Sequence, residues 1–332
     1  MKRFTLFLLL LVLAFSQPAR VQGEGAPPGL TGGSLATSNA AFTGENLGDY
    51  AGVRVAGAGD VNGDGYADLL IGAYNYSNST GRAYLFLGGP DGWQLDQGVA
   101  GADAIYTGEA DNSYTGDSVA GAGDVNGDGY ADMLIGASGY GSNTGRAYLV
   151  LGSANPSNIP LSAADAVYTG EASSNYAGDS VAGAGDVNGD GYADLLIGAY
   201  GSATGRAYLV LGNASPGSIN LADADAIYTG EASGDSAGDS VAGAGDVNGD
   251  GYADLLVGTP GYSSNTGCAY LVLGSASPGD ITLSAADAIY TGEGTGNFTG
   301  NSVAGAGDVN GDVTRTCLSG RPATTAVPGA PT

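Results

Sequence analysis

Asp-Val-Asn-Gly-Asp occurs five times in this chain, beginning at Asp60, Asp124, Asp186, Asp246 and Asp308, so that successive copies start 64, 62, 60 and 62 residues apart. In the first four copies the sequence continues Gly-Tyr-Ala-Asp and enters an apolar run. A fixed period near 60 means one supersecondary unit copied along the chain. It overrides the expectation, from the length of 332 residues alone, of about two unrelated domains.

The second unit is representative. It runs Ala104-Ile105-Tyr106-Thr107-Gly108, Ser118-Val119-Ala120-Gly121-Ala122-Gly123, Asp132-Met133-Leu134-Ile135-Gly136 and Arg146-Ala147-Tyr148-Leu149-Val150-Leu151-Gly152. These are four short β-type runs bounded by Gly, Asn, Ser and Pro clusters. No apolar i, i+3, i+4, i+7 stripe persists, so helices should be rare. Four strands per period predict an all-β protein, a β-propeller of four-stranded antiparallel blades. A stacked solenoid is the competing architecture, but its rungs usually span about 20–30 residues. Ala41-Phe42-Thr43-Gly44-Glu45 repeats the pattern around Tyr106, so the first unit is expected to begin at its outer strand.

Successive antiparallel strands turn at opposite ends, which sorts the connections between two faces. The Asp-Val-Asn-Gly-Asp loops and the Pro-containing third connections share one face. The second connections, such as Tyr74 to Thr80, and the inter-blade turns, such as Asp111 to Tyr114, share the other. Their Tyr, Ser, Asn and Gly residues suit a contact surface and are also common turn formers.

Within the first loop Asp60, Asn62 and Asp64 alternate inward, Gly65 permits a sharp turn, Tyr66 offers its backbone carbonyl and Asp68 closes the set. Calcium takes about 6–8 such hard oxygens in flexible geometry. An EF-hand would have Glu at position twelve and flanking helices, whereas position twelve here is Ile71, Ile135, Ile197 or Val257, inside a strand. Three carboxylates within nine residues would repel one another without a cation.

The chain resembles the FG-GAP repeat proteins, whose members include the propellers of integrin alpha chains and bacterial relatives. The aromatic-x-Gly element stands at Tyr50-Ala51-Gly52, Tyr114-Thr115-Gly116, Tyr176-Ala177-Gly178 and Phe298-Thr299-Gly300. The Gly-Ala element stands at Gly72-Ala73, Gly136-Ala137 and Gly198-Ala199. The fourth unit departs, with Ser236 for the aromatic and Gly258-Thr259-Pro260 for the second element. The resemblance implies calcium, about one ion per complete repeat, in the hairpin between the first two strands of a blade. By the family's pattern the ligands fall on Asp60, Asn62, Asp64, Tyr66 and Asp68; on Asp124, Asn126, Asp128, Tyr130 and Asp132; on Asp186, Asn188, Asp190, Tyr192 and Asp194; and on Asp246, Asn248, Asp250, Tyr252 and Asp254. Family members commonly have seven blades, and four complete units with a truncated fifth are visible here.

These readings divide the chain into a signal peptide (1–23), a linker (24–40), propeller repeats (41–312) and a divergent tail (313–332). The repeats carry loops at 60–68, 124–132, 186–194 and 246–254, and a partial one at 308–312. Met1-Lys2-Arg3 followed by the apolar run Phe4 to Phe15 has the form of a secretory signal, too short for a good membrane span, and no later segment is apolar enough to cross a bilayer. Val313 to Thr332 shows no strand pattern. Shifting its reading frame by one base makes Val-Thr-Arg-Thr-Cys compatible with Gly-Tyr-Ala-Asp-Leu, and the match to the fourth unit continues over twenty positions. A base lost near the codon for Val313 accounts for both observations.

Composition narrows the function classes. The net charge is −25, from 34 acidic and 9 basic residues, and Lys2 is the only lysine, which argues against nucleic acid as a partner. There is no histidine, which excludes triads with an imidazole base and His-containing zinc sites. Cys268 and Cys317, the only cysteines, read as unpaired thiols, Cys268 standing where sister repeats have Arg82, Arg146 and Arg206. Sequons at Asn75, Asn78, Asn213 and Asn297 permit glycosylation. The expected function is an exported, secreted or cell-surface module for adhesion or ligand binding, taking a protein or glycan through the face opposite the calcium loops. The alternatives are the propeller of a secreted hydrolase or lyase and a non-functional fragment. For catalysis, only Glu109, Glu171, Glu231 and Glu293 remain as general acids or bases, and their recurrence at one position per unit favours a structural role, so no catalytic residue is nominated.

Overall fold

The computed structural model describes residues 40–93 and 97–307, together with the backbone of 316–320. The segments read as signal peptide and linker lie outside the described residues, apart from Ala40. So do the partial loop 308–312 and the tail other than 316–320.

Four antiparallel four-stranded sheets follow one another along the chain. The first is built from Arg54–Gly59, Asp68–Ala73, Arg82–Phe86 and Ala104–Thr107, in that order from inner to outer edge. The second comprises Val119–Gly123, Asp132–Ala137, Arg146–Val150 and Ala166–Thr169. The third comprises Ser180–Gly185, Asp194–Ala199, Arg206–Val210 and Ala226–Thr229, and the fourth Ser240–Gly245, Asp254–Thr259, Cys268–Val272 and Ala288–Thr291. They are the blades of a β-propeller, and the described sheets do not close into a ring.

The strand phase differs from the sequence reading in one respect. Ala104–Thr107, at the start of the second sequence unit, pairs with Arg82–Phe86 of the unit before it. Phe42–Thr43 accordingly does not open the first blade; it pairs in parallel with Gln97–Gly98. The same two-residue parallel pairing recurs between Tyr106–Thr107 and Ile159–Pro160, between Tyr168–Thr169 and Ile219–Asn220, and between Tyr228–Thr229 and Ile281–Thr282. Each blade thus lends a short strand to the outer edge of its predecessor. A period in sequence does not specify where hydrogen-bond ladders are cut.

The second and third strands are buried on both faces because each sheet is sandwiched between neighbours. The cores lie between blades: Leu134, Leu149 and Tyr168 of the second pack with Leu195, Ile197 and Tyr208 of the third. The inner strands read Val-Ala-Gly-Ala-Gly for a steric reason. A Cβ on Gly121 would lie 2.6 Å from the Gly57 carbonyl oxygen, and one on Gly183 2.7 Å from that of Gly121.

Among the described residues helix is confined to single turns, such as Tyr76–Ser79 and Tyr140–Asn143. One further difference concerns the tail. Thr316–Gly320, read as lacking a strand pattern, pairs with Ser302–Gly307 in the register that Asp254–Gly258 adopts on Ser240–Gly245. The Gly307 bulge, with φ of 72°, matches those of the other hairpins, and ladder hydrogen bonds are made by backbone whatever the side chains.

Candidate calcium loops and the face opposite them

Each inner strand ends in a bulge at a glycine of positive φ, Gly59 at 82° and Gly123 at 81°, immediately before the first Asp of the loop. The loop then winds around its own side chains. Asp60 accepts from the amides of Asp64 (3.0 Å) and Gly65 (2.8 Å), Asn62 Oδ1 from Asp64 (3.1 Å), and Asp64 Oδ1 from Tyr66 (2.9 Å). The loops at 124–132, 186–194 and 246–254 repeat these bonds. The first Asp of each loop is half-buried and the second exposed, whereas the closing Asp is buried.

That closing carboxylate ties the loop to the third connection. Asp68 takes the Val61 amide on one oxygen and the Gly88 amide on the other, both at 2.7 Å. Asp132, Asp194 and Asp254 do the same with Val125 and Gly152, Val187 and Gly212, and Val247 and Gly274. Burial pushes Asp132 and Asp194 up to about 6 against the pull of these amides, and the neighbouring loop aspartates add to the rise. Asp68 and Asp254 move the same way.

The donor set fits a hard divalent cation: three carboxylates, one amide oxygen and one backbone carbonyl per loop, with no nitrogen or sulfur ligand. Among the described residues, however, no three His, Cys, Asp or Glu side chains are arranged to hold a metal ion. The loop oxygens are turned onto the loop's own amides instead.

Sequence reasoning missed how the loops interlock. The Tyr130 ring lies over Gly63 of the preceding loop, where a Cβ would come within 2.9 Å of its Cε1, and Tyr192 and Tyr252 cover Gly127 and Gly189 at 2.8 Å. The Ala131 amide donates to the Asp60 carbonyl (3.0 Å), and Ala193 and Ala253 repeat the bond onto Asp124 and Asp186. The glycine at position four and the tyrosine at position seven of the motif were the available signal.

On the opposite face, the second connections bond to the following inter-blade turns: Asn112 to Asn78 (3.0 Å), Tyr114 to Ser79 (2.8 Å) and Tyr176 to Asn143 (2.8 Å). Tyr50 and Tyr74 stack at 5.4 Å, Tyr114 meets Tyr74 edge-on, and Tyr176 and Tyr200 stack at 5.1 Å. Tyr76 and Tyr140 are engaged differently, each ring covering an arginine, Arg82 or Arg146, at 3.7 Å. Those arginines and Arg206, with the buried Tyr84, Tyr148 and Tyr208, hold Glu45, Glu109 and Glu171. The recurring glutamates Glu109, Glu171 and Glu231 therefore serve to satisfy buried tyrosine hydroxyls.

A second group escaped the sequence reading. Val53, Arg54, Tyr74, Tyr114, Asp117, Ser138 and Asp179 line a cleft of about 350 Å³ beside the inner strands. Asp117 accepts from the amide and hydroxyl of Ser138 on one oxygen, and its other oxygen is buried without a hydrogen-bond partner. Burial, then the charge of Asp179, holds Asp117 well above the usual carboxylate range. Burial and Asp239 push Asp179 up to about 6, burial raises Asp239, and Arg54 opposes all three shifts. The signal was Gly-Asp-Ser before three inner strands, at Asp117, Asp179 and Asp239, with Gly52-Val53-Arg54 in the first.

Comparison with known proteins agrees with this architecture. The model of the FG-GAP repeat matches residues 51–86, 115–150, 177–210 and 237–272. Each match runs from the x-Gly turn before the inner strand, which follows an aromatic residue in the first three and Ser236 in the fourth, through the candidate loop into the third strand. Half of the chain is 32% identical over 178 residues to integrin alpha-5 of Xenopus laevis and 37% identical over 177 residues to integrin alpha-IIb of Mus musculus, covering 16% of each. Integrin alpha-PS2 of Drosophila melanogaster is 35% identical over 177 residues, 48% of this chain and 12% of that protein. The chain thus spans under a fifth of the length of these curated relatives.

Proposed function

We propose that this chain, an FG-GAP repeat protein resembling the integrin alpha N-terminal domain, is an exported calcium-stabilised propeller that binds a protein or glycan partner through the face opposite its loops. The observation that carries the reading is the division of labour between faces. One face repeats a hard-oxygen loop in every complete blade, whereas the other gathers stacked tyrosines beside a cleft holding an unpartnered carboxylate oxygen. Aromatic rings next to carboxylates suit a cationic protein segment or the hydroxyls and apolar face of a sugar. The names of the integrin relatives support an extracellular setting. Calcium would be held by the ligand sets beginning at Asp60, Asp124, Asp186 and Asp246, where it would neutralise the loop carboxylates and rigidify the hairpins.

The test is binding of labelled protein, in calcium, to a glycan array and a panel of immobilised matrix proteins. A ligand found there should be lost by Tyr74→Ala combined with Asp179→Asn, with circular dichroism unchanged, and kept by Asn126→Ala on the loop face. Loss in the loop-face variant alone would place recognition on the wrong side and sink the proposal. An enzyme is disfavoured because Glu109, Glu171 and Glu231 already bond to buried tyrosines.

A further inference from the structure

Three blades carry the same ion pair at their outer rim. Glu45 accepts from Arg82 Nη1 and Tyr84 Oη, both at 2.9 Å, and Glu109 from Arg146 at 2.7 Å and Tyr148 at 2.8 Å. Glu171 is bound likewise by Arg206 and Tyr208. In the first blade Arg82 Nε also donates to Thr107 Oγ1 at 3.2 Å, and the Tyr76 ring covers the guanidinium.

The fourth blade keeps the receptors and changes the occupant. Glu231, Tyr262, Tyr270 and Thr291 stand at the corresponding positions, but the arginine is Cys268. Its Sγ meets Thr291 Oγ1 at 3.3 Å, the contact Nε makes in the first blade, and a thiol has no atom beyond that point. Tyr270 still donates to Glu231 at 2.8 Å. Glu231 is consequently exposed, whereas the side chains of Glu45, Glu109 and Glu171 are only 19%, 19% and 25% accessible. Among the described residues it has no ion pair. Tyr262 packs against the core cluster that contains Cys268 and Tyr270, and the charge of Glu231 is the chief cause that raises its hydroxyl.

We propose that this seat binds an alkylguanidinium group from outside the chain, paired with Glu231 and covered by the Tyr262 ring. A guanidinium suits it better than an ammonium because it is planar, donates in a fixed fork and stacks on an aromatic face, as Arg82 and Arg146 do. A metal ion fits poorly, since Asp235, the other carboxylate whose charge reaches Cys268 and Tyr262, is buried and accepts from the Ala232 amide. The inference is independent of the reading of the tyrosine-rich face and of calcium.

Saturation-transfer NMR with methylguanidinium chloride tests it on the calcium-loaded full chain. The wild type should show a saturable signal, with methylammonium about ten-fold weaker because it lacks the fork. Glu231→Gln should weaken methylguanidinium binding about ten-fold, as expected for loss of a charge-assisted pair. Cys268→Arg, which supplies the chain's own guanidinium, should abolish the signal and raise the thermal midpoint. Asp111→Asn, an equal change of charge on the same face, should leave binding unaltered. A signal that survives Cys268→Arg, or that falls equally in Asp111→Asn and Glu231→Gln, reflects general attraction to an acidic protein and overturns the proposal. Circular dichroism of each variant separates loss of binding from loss of fold.

Discussion

Replacing Gly121 by alanine should destabilise the protein, and the same replacement at Gly57 should not, although the two glycines occupy the same place in identical Val-Ala-Gly-Ala-Gly strands. A Cβ on Gly121 would sit 2.6 Å from the Gly57 carbonyl oxygen and 3.1 Å from backbone atoms of Ala58. These are backbone atoms of the neighbouring blade, so the inner strands must separate. Overpacking of this kind costs about 1–3 kcal/mol. Against it stands the gain of about 0.5–1 kcal/mol that alanine brings over glycine where the backbone is compatible. The net loss is about 1–2 kcal/mol, or about 1.5–3 °C in midpoint at about 2.1 cal/mol/K of unfolding entropy per residue over 332 residues. A Cβ on Gly57 meets nothing within 4 Å, so only the gain applies, and that variant should be neutral or more stable by about 0.5 kcal/mol. Thermal and urea unfolding in saturating calcium, followed by circular dichroism, measure both. Equal shifts of the same sign would refute close inner-strand contact as the reason for the glycines.

Calcium should raise the thermal midpoint and chelation lower it, by about 2.7 kcal/mol for each site at a hundredfold excess over its dissociation constant, and Asp124→Asn should remove one such increment. Chelation without effect on the midpoint would remove the loops' assigned role. The Asp117, Asp179 and Asp239 group should make stability fall as pH rises. Folded Asp179 titrates near 6 against an ordinary value of 3.8, so the native state holds the extra proton between those values and its ionisation above them is unfavourable. Asp179→Asn should therefore be more stable than the wild type at pH 7.5, by on the order of 1–3 kcal/mol, and no more stable at pH 3.5, as differential scanning calorimetry would show. Resequencing the gene through the codon for Val313 should restore Gly-Tyr-Ala-Asp after Asp312, and confirmation of the written frame with no repeat in the shifted one would dismiss the lost base.

The blades and the sorting of loops between faces were legible because they follow from local properties: strand alternation, turn residues and a fixed period. Ladder phase was not, since pairing of Ala104–Thr107 with Arg82–Phe86 depends on which neighbour the strand lies beside. The aspartates at 117, 179 and 239 are about 60 residues apart in sequence, and radial packing of the blades brings their charges together. The glutamates were recognised as recurrent, yet their tyrosine and arginine partners lie 35–39 residues away. The loop interlock joins residues one period apart, so neither partner is visible from its own repeat.

The strand that each blade lends to its predecessor bears on how such a chain can change in length. A duplication or deletion that begins and ends at equivalent points adds or removes one borrowed strand and one lent strand together, wherever in the period the break falls. Every remaining sheet therefore keeps its full complement, and recombination between repeats need not respect the boundary of a blade. A break that is out of step by even half a period would instead leave a sheet with an unpaired outer edge. The hand-over that obscures the blade in the sequence makes the repeat number adjustable in whole units.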